Sequence, residues 1–366
     1  MICLEGCGWG ESMVAARPVE VRSGRLGIDR LPEPANAGER WVGWIDYDGS
    51  WLFARFAGCY LHSGGQGWRV LGAAHDPPQI LPGVDPQPRT AVDGGVDISA
   101  GMERGEFESR VSRAREYIAA GDIYQVNLSH QCRVRGAANP EVVYERLRRL
   151  SPAPHLAFLS IGGRAVASAS PETFLDIGPE RVVTKPIKGT RGRGQDEPED
   201  LRMLEELRGC TKERAELVMI TDLLRNDLGR FAVTGSVRVE ALCEVESFAQ
   251  VHHLVSTVSC ARPPACGLNE ILGCCFPGGS ITGAPKKRAM EIIAELEQVP
   301  RGLYTGAIGW IGAERAVFSI AIRTLVFERG LAAFHVGAGI VADSIPEREY
   351  EETVVKGLGL RRALLE

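Results

Sequence analysis

The chain has 366 residues, 44% of them hydrophobic, and its 42 Lys+Arg against 47 Asp+Glu leave a formal net charge of −5. That length allows one large domain or two ordinary ones, with an apolar core that needs no disulfide or structural metal. The charge balance excludes a globally basic nucleic-acid binder, and no run of about 18 apolar residues marks a membrane span. Neither nucleic acid nor membrane is therefore expected as a partner.

The opening MICLEGCGWGES has no Lys or Arg ahead of its apolar residues and does not read as a secretory signal. The ten cysteines contain no Cys-x-x-Cys pair and scatter among apolar neighbours, as buried, reduced thiols of a cytoplasmic protein do. Residues 41–49 and 50–62 are aromatic-rich runs that predict strands and hairpins, and the Pro/Gly/Asp-rich stretch 76–100 predicts a linker or long surface loop. Residues 1–103 thus form a strand-rich segment, integrated into the same core as the rest.

From residue 104 the pattern becomes helical. Phe107, Val111, Ala114 and Ile118 share one face until Gly121, and Pro140 opens a short helix over 140–150. HLAFLSI, RAVASAS, TFLDI and RVVTK predict four consecutive strands within 155–184. A single long helical stretch is expected over 199–228, another helix after Pro285, strands across 304–337 and a last helix after Pro346. Hairpins mixed with long helices predict an α+β protein with antiparallel sheets.

Glu213 and Glu216, and likewise Glu349 and Glu352, are three residues apart, so each pair shares a helix face. Four such carboxylates from two helices would suit a hard cation such as Mg²⁺, although Glu-x-x-Glu is also common on solvated helices. The Gly-rich segments 186–194, 276–290 and 336–346 could hold carboxylates or phosphates on backbone N–H groups, or be plain loops. Lys188 is either a surface charge or a nucleophile. His252 and His253 read as core histidines. Arg323, inside the apolar FSIAIRTLVF, needs an anionic partner, which a bound carboxylate would be.

In order along the chain, SPETF, PIKGTRGRG, KERAELVMITDLLRNDLGR, VHHLVSTV, FPGGSITGAPKKRAMEII, YTGAIGW, FSIAIRTL and GAGIVADSIPEREYEET resemble the chorismate-utilising enzymes. The resemblance covers residues 104–366 and implies an anthranilate-synthase-like fold: two large, mostly antiparallel sheets packed as a sandwich with helices outside. Family members that add water to chorismate have a lysine base where DIYQVNLS carries Gln125. Members that aminate have alanine before Gly-Thr in the anthranilate-forming branch and lysine in the aminodeoxychorismate-forming branch; this chain has Lys188.

The resemblance therefore implies Mg²⁺-dependent amination of chorismate at C4. Glu216 and Glu352 would hold the metal directly, with Glu213 and Glu349 ligating or orienting its waters. Glu172 would protonate the departing C4 hydroxyl, and Lys188 would attack C2 to give a covalent adduct that ammonia displaces from C4. Arg323, Tyr304 and the amides around Ala338 and Gly339 would grip the enolpyruvyl carboxylate, with Lys356 near the ring carboxylate and Ser280, Thr282, His253 and Gln125 completing the pocket. No Cys lies in a G-x-C-x-G turn, so a separate glutamine amidotransferase subunit is expected to supply ammonia. The expected product feeds 4-aminobenzoate and folate synthesis. The rival readings are an anthranilate or 2-amino-2-deoxyisochorismate synthase and, in another class, a non-catalytic scaffold paralogue. A Leu-Leu-Glu-Ser tryptophan pocket, common in relatives, has no counterpart in residues 1–100.

Overall fold

Alternate residues of the strand Arg40–Ile45 enter two different cores. Val42 and Trp44 pack with Ile2, Leu4, Ala157 and Leu159, whereas Trp41 and Ile45 pack with Phe174, Phe318 and Leu272. The same alternation runs through the strand His155–Ile161, where Ala157 and Leu159 face inward and Leu156 and Phe158 face a helix layer. Strands buried on both faces read as continuous apolar runs, which is why these segments lack the polar alternation of a half-solvated sheet.

This computed structural model of the chain describes residues 1–56, 58–63, 67–72, 95–136 and 139–366. Among them are an 11-stranded and a 10-stranded sheet whose strand pairs are antiparallel. Their facing sides share the core that holds Trp9, Trp44 and Trp310. Helices cover the outer faces, so the architecture is the expected α+β sandwich. The helices are α1 (Arg104–Ala119), α2 (Pro140–Leu150), α3 (Glu197–Gly209), α4 (Thr211–Gly229), α5 (Leu268–Cys275), α6 (Lys286–Leu296) and α7 (Pro346–Leu365). The strand Ile2–Glu5 pairs with His155–Ile161, which ties the first residues of the chain into the larger sheet.

Two expectations are corrected. The stretch 199–228 is two helices, because Cys210 is extended at φ −72°, ψ 99° after Gly209. The break starts a new helix at Thr211 and puts Glu213 in its first turn, where a carboxylate favours the helix dipole. Within the expected 76–100 loop, Asp97–Ala100 is a strand paired with Gln125–Arg135, and residues 76–94 lie outside the described residues. No described helix is long and apolar enough to cross a membrane. The ten cysteines are unpaired, and seven of them are buried.

Candidate active site

A cleft of about 780 Å³ opens between the first turns of α4, the length of α7, the strand Ile187–Gly192 and the end of the strand Leu331–Ile340. Lys188 reaches into it from a strand whose next residue, Gly189, has φ +76° and lies against Glu213. A side chain at 189 would suffer both the left-handed backbone and a contact of 2.9 Å with Glu213 Oε2, so only glycine lets α4 approach this closely. The Lys188 ammonium stands 3.8 Å from Glu216 Oε2. Burial lowers the pKa of this amine, opposed by the Glu216 carboxylate and assisted by the Lys356 charge.

All four glutamates expected from the paired spacing line the cleft. Three of them face a cation of the chain itself: Glu213 is 3.0 Å from Arg191, Glu352 is 2.7 Å from Lys356, and Glu216 faces Lys188. Against the upward push of burial, Lys356 holds the Glu352 carboxyl below its ordinary range. Burial raises that of Glu349, opposed by a Ser344 hydrogen bond. The donor set fits Mg²⁺ in kind, since it offers carboxylate oxygens only and Glu213 Oε2 is buried without a hydrogen-bond partner. As placed, no three His, Cys, Asp or Glu side chains among the described residues gather around one point.

Glu172 lies at the start of the strand Thr173–Ile177, 5% exposed. Burial pushes its carboxyl up to about 7, against the pull of the Ser280 hydroxyl, which donates to Oε1 at 2.6 Å, and of Lys188 and Lys356. A carboxylic acid that keeps its proton near neutrality can donate it. His253 also lines the cleft. Its Nδ1 is 2.9 Å from Thr190 Oγ1, and burial, then the Arg323 charge, lower its pKa to about 4, so the ring is neutral.

Arg323 is the isolated cation its sequence context suggested. It sits at φ +50°, and burial lowers its pKa with no anionic partner among the described residues to offset it. Tyr304 shares the cleft wall, its ring stacked on His335 at 5.2 Å. The adjacent Thr305 has φ +60°, a strained value for a β-branched residue. It is held by its own N–H to the Ala321 carbonyl at 2.8 Å and by Arg301 Nη1 donating to its hydroxyl at 3.0 Å.

Several expected pocket residues are placed differently. The Thr282 hydroxyl donates to the Gly278 carbonyl at 2.9 Å, and the side chain is fully buried, so it shapes the 278–282 turn rather than the cleft surface. The expectation for Ala338 concerned its backbone amide; its side chain is fully buried and packs with α1 and α6, while the neighbouring Gly337 and Gly339 face the cleft. Gln125 stands beside the amine, not on the cleft surface: a Cβ on Gly339 would be 2.7 Å from Gln125 Nε2 and 3.2 Å from Lys188 Nζ. Lys356 donates to the Gly337 carbonyl at 3.1 Å. His252 is a satisfied core histidine, bonded to Ser247 and Asp200.

The sequence reading missed Asn127, His335 and Gly337 on the cleft wall, and the buried Arg301 behind it. Arg301 donates to the carbonyls of Asn127 and Ile281, to Thr305 and to both oxygens of Glu297. An arginine and a glutamate four apart after an amphipathic helix carry no signal of this in sequence.

Residues 66–361 match the family described as chorismate binding enzyme. Anthranilate synthase component 1 of Streptomyces coelicolor is 47% identical over 278 residues, 75% of this chain and 54% of that protein. Aminodeoxychorismate synthase component 1 of Bacillus subtilis is 43% identical over 259 residues, 70% of this chain and 55% of that protein. The crystal structure of anthranilate synthase component I from Streptococcus pneumoniae superposes with a TM-score of 0.82 at 28% identity, covering 96% of this chain and 92% of that one. The chain spans about half the length of the curated relatives it matches.

Proposed function

The chain belongs to the chorismate-binding enzyme family, and on that premise we propose that it aminates chorismate at C4 to give 4-amino-4-deoxychorismate, as the synthase component of an aminodeoxychorismate synthase. The observation that carries this reading is the place of Lys188: in the cleft, beside Glu216, with its amine pKa lowered by burial. Burial that disfavours the charged form of an amine favours the neutral form, which is the nucleophile.

In the first step the neutral Lys188 amine forms a bond to ring C2, both ring double bonds shift (C1=C2 to C1=C6 and C5=C6 to C4=C5), and the C4–O bond breaks. The leaving hydroxyl takes the Glu172 proton and departs as water. In the second step ammonia bonds to C4, both double bonds shift back and the C2–N bond breaks, its electron pair leaving with the Lys188 nitrogen. The Lys188 nitrogen leaves C2 as a neutral amine, and the one excess proton passes from the new C4 ammonium to the Glu172 carboxylate, so Lys188 and Glu172 return to their starting states. Occupation of C2 by the enzyme's own amine directs ammonia to C4.

Arg323 and Tyr304 would bind the enolpyruvyl carboxylate, which gives the lone buried guanidinium its counter-charge. Glu216 and Glu352 would hold Mg²⁺, with Glu213 and Glu349 orienting its waters; the metal would supply positive charge to fix the ring carboxylate. Ammonia would come from a separate glutamine amidotransferase subunit, a reading supported by the "component 1" in the relatives' names.

The rival is amination at C2, as the relatives named anthranilate synthase component 1 suggest. One assay separates them. Enzyme, Mg²⁺, chorismate and ammonium are incubated, a pyruvate-eliminating lyase is added, and the aromatic product is identified. 4-Aminobenzoate is expected, and anthranilate would overturn the assignment.

A further inference from the structure

Arg301 is 4% exposed, and its guanidinium donates five hydrogen bonds inside the protein. Two go to the Glu297 carboxylate, which also accepts from the Ser129 N–H at 2.7 Å. The other three leave the ion pair. Nη1 donates to the Ile281 carbonyl at 3.1 Å and to the Thr305 hydroxyl at 3.0 Å, and Nη2 donates to the Asn127 carbonyl at 2.7 Å. The Asn127 peptide passes the grip on, since its N–H donates to the Thr282 carbonyl at 2.8 Å. Arg301 therefore holds two consecutive carbonyls, one directly and one through Asn127.

Those carbonyls belong to the turn that carries Ser280, whose hydroxyl donates to Glu172 Oε1 at 2.6 Å. On its other side the turn presses on α4, where a Cβ at Gly279 would stand 2.6 Å from the Leu223 side chain. Glu172 is fixed separately, its carbonyl accepting from the Ile320 N–H at 3.1 Å. A shift of the turn would thus move the hydroxyl relative to the carboxyl instead of carrying both along. The charges that act on the Glu172 carboxyl are Lys188, from the strand Ile187–Gly192, and Lys356, from α7, and not Arg301. An influence of Arg301 on this acid has to run through the turn.

We propose that Arg301 is a positioning residue for the acid step: by fixing the carbonyls of Ile281 and Thr282 it sets the Ser280 hydroxyl on the Glu172 carboxyl. A planar guanidinium suits this task because its N–H groups point in several fixed directions at once, which a single ammonium cannot reproduce. The proposal rests on Glu172 being the acid of the proposed function and is independent of which carbon is aminated.

The test is the pH profile of kcat/KM for the wild-type chain, Arg301→Lys, Ser280→Ala and the double variant. The hydroxyl bond favours the carboxylate, so its loss should move the alkaline limb up by about one pH unit in Ser280→Ala. Arg301→Lys should move it in the same direction. The double variant should move it no further than Ser280→Ala does, because the turn then has no hydroxyl to place. Infrared difference titration of the carboxyl band, wild type against Glu172→Gln, reads the same ionisation without turnover. If Arg301→Lys does not fold, Arg301→Gln combined with Glu297→Gln takes its place, since it leaves no buried charge alone. An unmoved limb in the folded Arg301 variant, or shifts that add in the double variant, would overturn the proposal alone. A wild-type limb that survives Glu172→Gln would overturn the acid assignment, and the proposal with it.

Discussion

The Lys188 amine and the Glu216 carboxylate face each other at 3.8 Å across the cleft, on a strand and a helix that only Gly189 allows to meet so closely. Replacing Lys188 with Ala is expected to end 4-amination while leaving chorismate binding in place. Enzyme trapped with chorismate in the absence of ammonia should gain the mass of chorismate less water, and the variant should not. A variant that keeps wild-type turnover would remove the covalent step.

Glu172 predicts a pH dependence with a definite sign. Burial raises its pKa to about 7, so the acid form needed for donation is lost as pH rises through that value. kcat/KM should fall on the alkaline side of about pH 7, and Glu172→Gln should lose that limb and about 10²–10⁴-fold in rate. Ser280→Ala removes the donor that pulls the pKa down, so its limb should move to higher pH. Linkage works in the same direction. The folded carboxyl holds its proton longer than the unfolded one, so this group's contribution to stability declines as pH rises from about 4.5 to about 7.

Chelation should abolish turnover and added Mg²⁺ should restore it. Glu216→Gln is expected to lose activity together with the metal response. A Glu216→Gln protein still stimulated by Mg²⁺ would contradict the ligand assignment.

Arg301 and Glu297 form a buried pair at 2.7 Å, with 1% and 7% of their side chains exposed. Arg301→Met leaves the Glu297 carboxylate uncompensated, and chemical denaturation should show a loss of about 3–5 kcal/mol. A loss under about 1 kcal/mol would mean that water or a rearranged partner satisfies Glu297.

Much of this molecule is readable from its residues. The face formed by Phe107, Val111 and Ala114 does bury as α1, the four strands after His155 stand where their turns place them, and the glutamate pairs reach one cleft because i and i+3 share a helix face. The break at Cys210 was hidden because the apolar periodicity of Leu201, Leu204 and Leu207 resumes at Leu217, which outweighed the stop signal that Gly209 offers. Thr282 sits in the right motif but its hydroxyl turns back onto the Gly278 carbonyl, which depends on the local turn and not on residue type. Asn127, Arg301 and His335 look like ordinary polar residues. Their importance comes from what pairs with them across 174 positions of chain, as between Arg301 and Asn127, and that only folding reveals.

The two glycines at 337 and 339 divide labour along a single strand. On the proposed function, one end of the cleft would hold the substrate's arm while the other presents the Lys188 amine, and the backbone between them keeps the spacing constant. A lineage could therefore swap the side chain at position 188, and with it the carbon that receives nitrogen, without rebuilding the surface that recognises the molecule.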